Sequence, residues 1–205
     1  MTNTDRGPEH YFTAKPKSKP RFGLVRTSLA KKSFSFLTAS GVFSKDRVDL
    51  GTRLLVESMI LPDKGCVLDL GCGYGPVGIA VAAFNPYLNV FMVDVNIRAV
   101  RLARRNVELN NVKNAVVKRG FLYEPVKDVS FDCVLSNPPV SAGMSTVKAV
   151  IYEAPCHMVV GASFQIVIRS KIAGRRFCKL FEDAFGNVSV LARGSGYRVL
   201  MSQKL

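Results

Sequence analysis

The segment with the clearest chemical signature places three alternating glycines between a strand and a helix. The apolar run 66–70 predicts the strand, and Pro76 begins a predicted helix at a position where a missing N–H costs nothing. The glycines between them are Gly71, Gly73 and Gly75. Glycine lets the backbone turn tightly and come close to a ligand. Because open α/β sheets bind ligands at the carboxyl ends of their strands, we predict a binding loop here.

Two acidic residues accompany this loop. Asp69 stands just before the first glycine, and Asp94 lies near the end of the next predicted strand, 89–95. A carboxylate at the second position can accept hydrogen bonds from both hydroxyls of a ribose.

The residues 73–78 also match the dinucleotide fingerprint GxGxxG, but the match begins at Gly73 rather than at Gly71, the first glycine after the strand. A nicotinamide-dependent dehydrogenase is the competing enzyme class, and we find no catalytic Tyr/Lys or His constellation for it.

A second chemical signature, Asn137-Pro138-Pro139-Val140, follows the apolar strand predicted over 131–136. The lone pair of an amide or of an exocyclic base amine is delocalised, so two acceptors must hold such a nitrogen pyramidal before it can attack. The Asn137 side-chain carbonyl and the Pro138 backbone carbonyl can be those acceptors. Proline lacks an N–H, so the loop presents mainly oxygens. We predict that this site orients an amino nitrogen for attack on an electrophile, by positioning and without a metal. The simpler interpretation is a rigid turn that ends a strand.

Strands and helices alternate from residue 66 to the end of the chain. Further strands are predicted at 115–120, 131–136, 162–170, 188–192 and 197–202, and helices at 76–84, 96–110, 145–160 with a break at Pro155, and 172–185. This order predicts an α/β, doubly wound, Rossmann-like fold with a seven-stranded, mostly parallel sheet. The last strand is predicted to be antiparallel, because only a short turn precedes it.

The charge is strongly unbalanced, with 29 basic and 15 acidic residues and a formal net charge of +14. Seven basic residues and no acidic ones occur from position 15 to position 32, namely Lys15, Lys17, Lys19, Arg21, Arg26, Lys31 and Lys32. Pro16 and Pro20 exclude a helix there, so we predict an extended arm or a short hairpin. Such an excess favours RNA as a partner, and a merely solvated basic surface is the alternative.

The cysteines and the distribution of apolar residues indicate the cellular compartment of the protein. The five cysteines form no CxxC pair and mostly lie in apolar stretches, so we expect small buried thiols in a reducing compartment and no metal site. No apolar run is long enough to span a bilayer, and the polar start is unlike a secretory signal. We therefore expect a soluble, cytoplasmic protein without membrane contact. The sequence leaves the oligomeric state open.

Both signatures resemble a known class of enzyme. The Asp-x-Gly-x-Gly-x-Gly loop resembles the first motif of class I methyltransferases, and Asn-Pro-Pro resembles the active site of amino-group methyltransferases. Together with His10-Tyr11-Phe12, the 40–44 and 49–52 segments and the 196–200 ending, the whole chain resembles small-domain methyltransferases related to the ribosomal RNA guanine-N2 methyltransferases of the small subunit. The resemblance divides the chain into a basic arm with a cofactor-covering segment (1–60) and a class I methyltransferase domain (61–205).

This resemblance implies S-adenosylmethionine as cofactor and N2-methylguanosine, in ribosomal RNA or a small-subunit particle, as product. Asp69 is expected to hold the ammonium group of the cofactor, and Asp94 the ribose. The other residues expected beside the cofactor are Phe43, Thr52, Gly71, Cys72, Gly73, Gly75, Val95, Phe121 and Asn137. The active site is expected to consist of Asn137, Pro138, Pro139 and Val140.

Two positions depart from the family pattern. Related enzymes often carry an aromatic residue in place of Val140, where it stacks on the target base, and commonly an Asp in place of Phe121, where it accepts from the adenine amine. These departures keep two alternatives open. One is a protein-glutamine methyltransferase, and the other is an inactive RNA-binding module with an inherited methyltransferase fold.

Overall fold

The chain forms a β-hairpin followed by a sheet with helices on both faces. The computed structural model describes residues 14, 16, 19–138, 143–172 and 174–205. In these ranges the strands are β1 (Phe22–Leu29), β2 (Lys32–Ala39), β3 (Gly65–Leu70), β4 (Leu88–Asp94), β5 (Ala115–Arg119), β6 (Phe131–Ser136), β7 (Met158–Arg169), β8 (Ser189–Gly194) and β9 (Tyr197–Gln203). The helices are α1 (Leu50–Ser58), α2 (Pro76–Phe84), α3 (Ile97–Leu109), α4 (Met144–Glu153) and α5 (Arg175–Phe185).

The sheet has seven strands in the order β5-β4-β3-β6-β7-β9-β8. The pairs β3–β4, β4–β5, β3–β6 and β6–β7 are parallel, and β9 runs antiparallel to both β7 and β8. The predicted fold class is confirmed, including the antiparallel last strand. The chain moves outward from β3 to β5 and then crosses to β6 on the other side of β3. This reversal opens a crevice at the carboxyl ends of β3 and β6.

Two hydrophobic cores separate the layers. One core joins helices α1 to α3 and the hairpin to one face of the sheet, and the other joins α4 and α5 to the opposite face. Within the described ranges, no helix combines the length and the apolar character needed to cross a membrane.

The basic arm contains a hairpin, one of the two forms that the sequence allows. Strands β1 and β2 pair in register around a two-residue turn, where Ala30 and Lys31 have φ values of 45° and 68°. The inward side chains Leu29, Phe34 and Phe36 are buried in the same core as α2 and β4. The hairpin therefore packs as part of the globular domain.

Two helix boundaries differ from the sequence prediction by three residues or more. The helix predicted to reach residue 160 ends at Glu153, and a short 3-10 segment containing Pro155 precedes β7, which begins at Met158. Proline stops the α-helical hydrogen bonding, and pairing of Met158 with Phe131 extends the sheet instead. Helix α5 begins at Arg175 rather than at 172, because Gly174 takes an extended conformation at its N-cap.

Candidate functional site

A cavity of about 330 Å³ opens where β3, β4 and β6 end. The structure brings ten of the predicted residues into its wall, which are Phe43, Thr52, Asp69, Gly71, Cys72, Gly73, Asp94, Val95, Phe121 and Asn137. The wall also contains apolar residues that sequence reasoning missed, among them Val42, Leu70, Val77, Ala99, Leu122 and Val150. A mainly apolar cavity with a few convergent polar groups is typical of a cofactor site.

The glycine loop forms one side of the cavity. Gly71 and Gly73 have φ values of 77° and 57°, in the left-handed region that favours glycine. A Cβ added at either position meets no protein atom within 4 Å, so both glycines face open space. The backbone N–H groups of Gly71 and Cys72 donate to Val93 O at 2.9 and 3.0 Å, which fixes the loop to β4. The loop therefore leaves a cradle that any larger side chain would partly fill.

Gly75, the third glycine, does not line this cavity. It is the N-cap of α2 with a φ of 98°, and an added Cβ would lie 2.7 Å from Met92 Cε and 2.9 Å from Ile79 Cδ1. Gly75 therefore allows α2 to pack closely against Met92 of β4.

Asp69 is a fully buried carboxylate beneath the glycine loop. It is 1% exposed, and its Oδ2 accepts a 2.8 Å hydrogen bond from Gly78 N. Burial raises the pKa of Asp69 to about 7, helped by the nearby Asp94 charge, while the Gly78 N–H opposes the shift. A buried carboxylate of this kind suits a cationic ligand group, which restores the charge balance lost on burial.

Asp94 stands at the end of β4 and binds the loop from the other side. Its Oδ2 accepts from Gly73 N and its Oδ1 from Asn96 N, both at 2.8 Å. Burial raises the pKa of Asp94, and the backbone N–H groups of Asn96, Gly73 and Val95 lower it. Each carboxylate oxygen has a second lone pair, so Asp94 can still accept two ligand hydroxyls.

Cys72 also lies in the cavity wall, and its thiol is buried. Burial raises the pKa of Cys72 well above its ordinary value, and the charges of Asp94 and Asp69 raise it further. The thiol stays protonated near neutral pH, so it is no nucleophile.

Asn137 follows β6 directly and is held by helix α1. Its Nδ2 donates to Asp49 Oδ2 at 3.2 Å and to Thr52 Oγ1 at 2.9 Å. A carboxylate only accepts hydrogen bonds, so the amide nitrogen must face Asp49. Within the described part of the chain, no residue donates a hydrogen bond to Asn137 Oδ1. The side-chain carbonyl is thus available as an acceptor at the cavity wall.

The rest of the Asn-Pro-Pro segment is placed only in part. Pro138 is buried and does not line the cavity, while Pro139 and Val140 lie outside the described residues. Ser136 Oγ donates to Leu70 O at 2.8 Å, which fixes the end of β6 against the end of β3. The two sequence signatures therefore meet at one point of the sheet.

Phe121 borders the cavity beside Leu122 and is 48% exposed. Its exposed ring can pack on a planar ligand group. Phe43 enters the wall from the segment after the hairpin, which Asn96 Nδ2 fixes by donating to Gly41 O at 2.9 Å.

The predicted RNA-binding residues form a second, separate group. Lys19, Arg21, Arg26, Lys31 and Lys32 are all exposed, whereas Lys15 and Lys17 lie outside the described residues. Lys32 Nζ donates to Ala83 O at 2.7 Å, and the charged side chains of the other four are exposed to solvent.

Two polar residues of the site were not predicted as functional. Asp49 is the N-cap of α1, accepting from Gly51 N at 3.0 Å and Thr52 N at 3.1 Å, and it also holds Asn137. Tyr197 OH donates to Asp49 Oδ1 at 3.2 Å. The spacing of Asp49 before α1 is a recognisable capping pattern, but no local signal joins Tyr197 to it across 148 residues.

Comparison with known proteins agrees with this geometry. A model of the methyltransferase small domain family matches residues 33–201. The uncharacterized protein YbxB of Bacillus subtilis is 36% identical over 199 residues, covering 96% of this chain and 99% of that protein. Ribosomal RNA small subunit methyltransferase C of Hamiltonella defensa is 33% identical over 189 residues, covering 89% of this chain and 55% of that protein.

A solved structure shares the fold closely. The T. thermophilus 16S rRNA N2 G1207 methyltransferase, in complex with AdoMet and guanosine, aligns with a TM-score of 0.81 and 25% identity. The alignment covers 93% of this chain and 52% of that one. The chain thus spans about half the length of the two methyltransferases that it resembles.

The predicted cofactor, S-adenosylmethionine, is confirmed by the family and by the AdoMet-bound structural neighbour. The residues present also fit it. Asp69 offers a buried counter-charge for the ammonium group, Asp94 offers acceptors for the ribose, and the cradle at Gly71 and Gly73 leaves room for the methionine part.

Proposed function

The chain belongs to the methyltransferase small domain family, and from this premise we propose that it methylates the exocyclic N2 amine of a guanine in small-subunit ribosomal RNA. The observation that carries the proposal is the orientation of Asn137. Its amide nitrogen is occupied by Asp49 and Thr52, so its carbonyl oxygen is the atom left for a substrate amine.

The chemistry needs orientation rather than a strong base. S-adenosylmethionine supplies an electrophilic methyl group on a sulfonium. Asn137 Oδ1 accepts one hydrogen of the amine. The carbonyl of Pro138, which follows Asn137 and lies outside the cofactor cavity, is the acceptor that we propose for the other hydrogen. Two such contacts keep the nitrogen pyramidal with its lone pair aimed along the line of attack. Asn137 is uncharged, so the amine loses its proton after transfer, when the cationic nitrogen is acidic.

The protein holds this acceptor rigidly. Thr52 and Asp49 lie at the start of α1, and Ser136 ties the adjoining strand end to Leu70 O at 2.8 Å. An acceptor that is fixed before the substrate arrives needs no reorganisation during the reaction, and this is where most electrostatic stabilisation of a transition state arises.

The choice of RNA rests on charge and on the relatives. The formal net charge of +14 favours a polyanion. Two of the proteins named above, from Hamiltonella defensa and T. thermophilus, are methyltransferases of small-subunit ribosomal RNA. Guanine N2 is chosen because the structural neighbour is an N2 methyltransferase with bound guanosine.

The test is to incubate the protein with methyl-labelled S-adenosylmethionine and either protein-free small-subunit RNA or the assembled small subunit. Label in the RNA as N2-methylguanosine supports the proposal, and the two substrates separate naked RNA from the particle. Label in a glutamine of a subunit protein would support the protein-glutamine alternative. No label, with normal cofactor binding, would support the inactive module. The Asn137→Ala protein serves as the control for contaminating activity.

A further inference from the structure

We propose that the outer faces of β1 and α3 form one RNA-binding surface, in which Arg26, Arg101 and Arg105 contact phosphates and Phe22 stacks on an unpaired base. The proposal rests on the proposed function insofar as RNA is the substrate. It adds to the basic hairpin a helix and an aromatic residue that the sequence did not indicate.

Most of the net charge lies in two stretches of the chain, the hairpin with the residues before it and α3 with β5. Residues 19–39 and 97–119 contain 12 of the 29 basic residues and one of the 15 acidic residues, Glu108. These 44 residues therefore carry +11 of the formal net charge of +14. A concentration of one sign in elements that contact one another attracts a polyanion, whereas a charge that serves only solubility has no need to be localised.

The hairpin and α3 are joined into one rigid surface by two asparagines. Asn106 accepts from Leu37 N at 2.7 Å and donates to Leu37 O at 3.0 Å. One turn later, Asn110 accepts from Ser35 N at 3.1 Å and donates to Ser35 O at 2.8 Å. The two amides thus pair with the free edge of β2 as a neighbouring strand would.

A groove marks the junction on the outside. Arg26 and Ser33 of the hairpin line one wall, and Leu109 and Asn111 at the end of α3 line the other. Arg105 lies one helical turn before Leu109 and shares its exposed face. Arg26 thus lines the groove, and Arg105 lies one helical turn away from it on the exposed face of α3.

The arginines of α3 do not stabilise the helix itself. Arg98 and Arg101 lie near its N-terminus, where the helix dipole disfavours cations, and Arg101 and Arg105 form a like-charge pair four residues apart. Arg104 is used internally, because its Nη2 donates to Val117 O at 3.1 Å. The ion pairs found among the described residues do not include Arg101 or Arg105, and both side chains are exposed. Their charge is thus open to an external partner.

The outer face of β1 adds an aromatic ring to this surface. Phe22, Leu24 and Arg26 alternate along the strand and point to the same side, and Phe22 is 64% exposed. Phe22 pairs with Ala39, three residues before Val42 of the cavity wall. Exposed aromatic rings between basic residues are typical of single-stranded RNA binding, in which the ring stacks on a base. The surface therefore leads from the groove toward the mouth of the cavity.

The first experiment measures how RNA affinity depends on salt. A short fluorescein-labelled single-stranded RNA is titrated with wild type, with Arg26→Gln/Arg101→Gln/Arg105→Gln, and with the charge-matched control Lys127→Gln/Lys179→Gln/Arg193→Gln, whose residues are exposed elsewhere. Each lost phosphate contact lowers the slope of log affinity against log salt by about 0.7, so the first triple variant should lose about 2. The control should keep the wild-type slope. Equal slopes for both triple variants, or no salt-dependent RNA binding by wild type, overturn the proposal.

The second experiment separates stacking from charge. Phe22→Ala should lower RNA affinity by about 5- to 100-fold without changing the salt slope, because a stacked ring releases no counterions. Leu24→Ala removes exposed apolar area from the same face without removing a ring, so it should have little effect. An unchanged affinity in Phe22→Ala, or an equal loss in Leu24→Ala, would remove the ring from the binding surface.

Methyl transfer to small-subunit RNA is measured in parallel, so that the two proposals fail in different ways. RNA binding that depends on α3 without any transfer contradicts the proposed function and leaves the surface intact. Transfer with an unchanged salt slope and unchanged kcat/KM in the arginine variant contradicts the surface and leaves the function intact.

Discussion

The carboxylate of Asp49 accepts a hydrogen bond of 3.2 Å from the side-chain amide of Asn137, 88 residues farther along the chain. The same carboxylate caps α1 through Gly51 N and Thr52 N and accepts from Tyr197 OH. One group thus joins the start of a helix, the end of β6 and the start of β9. Because it can only accept, it determines which way the Asn137 amide faces.

We expect Asn137→Ala to abolish most methyl transfer and to leave cofactor binding nearly intact. Loss of a fixed acceptor in the transition state costs about 2 to 4 kcal/mol, or a hundredfold or more in rate. The measurement is single-turnover methylation of RNA at saturating cofactor. Asn137→Asp should also lose activity, because it places a second carboxylate against Asp49. Full activity in Asn137→Ala would remove this residue from the mechanism.

Asp49 should act as a positioning residue. Asp49→Ala frees the Asn137 amide to rotate, so kcat should fall by about tenfold, and loss of the helix cap should lower the free energy of unfolding by about 1 kcal/mol. Asp49→Asn keeps a good cap and one acceptor, and it should recover most of kcat. A purely structural role predicts that kcat below the melting temperature is the same in all three proteins.

Asp94→Ala should weaken S-adenosylmethionine binding by about a hundredfold, since two charge-assisted hydrogen bonds to the ribose are lost, at about 1.5 kcal/mol or more each. Isothermal titration calorimetry on the folded variant gives the affinity. Asp94→Asn retains one acceptor and should lie between wild type and alanine. An Asp94→Ala protein with wild-type affinity would contradict the assignment.

The hydrogen bonds from Asn106 and Asn110 of α3 to the hairpin should be important for stability. Asn106 is fully buried and also donates to Tyr74 O at 2.8 Å, so Asn106→Ala leaves several buried polar groups unpaired. We expect the free energy of unfolding to fall by about 3 kcal/mol, measured by urea denaturation. The more exposed Asn110→Ala should cost about 1 kcal/mol. Similar small losses in both variants would show that the hairpin is held by its apolar side chains alone.

The sequence predicted the glycine loop and its acids because these features are local. A strand, a turn that needs left-handed backbone at Gly71 and Gly73, and a helix follow one another within 20 residues, and each has its own signal. The parallel sheet followed from the same alternation of elements. The asparagines of α3 illustrate the opposite case. Asn106 and Asn110 look like solvated helix positions, and only the approach of β2 from 69 to 75 residues away makes them structural.

Asp49 and Tyr197 were missed for the same reason. A cap residue gives no indication that its second oxygen has a distant partner, since that depends on how β9 inserts between β7 and β8. The boundary between α4 and β7 was misplaced because residues 154–160 carry no clear period, and pairing of Met158 with Phe131 decided the outcome. The residues at the centre of the site could therefore be predicted from the sequence, whereas those that position them depend on tertiary contacts.

The last prediction concerns the pH dependence of Asp69. The unfolded chain ionises near 3.8, and burial raises the pKa of the folded residue to about 7. Between these values the folded protein keeps a proton that the unfolded chain has lost, so the free energy of unfolding falls as pH rises from about 4 to about 7, by up to about 1.4 kcal/mol per unit, and is level above.

The affinity for the cofactor should depend on pH in the opposite direction. The cofactor ammonium favours the ionised carboxylate of Asp69, so cofactor affinity should fall by up to about tenfold per unit as pH drops below 7. We expect Asp69→Asn to bind the cofactor weakly at every pH and to lack both dependences. The measurements are denaturation without cofactor and calorimetric titration with it, each from pH 5 to 8. Parallel pH profiles for wild type and Asp69→Asn would show that another group controls the titration.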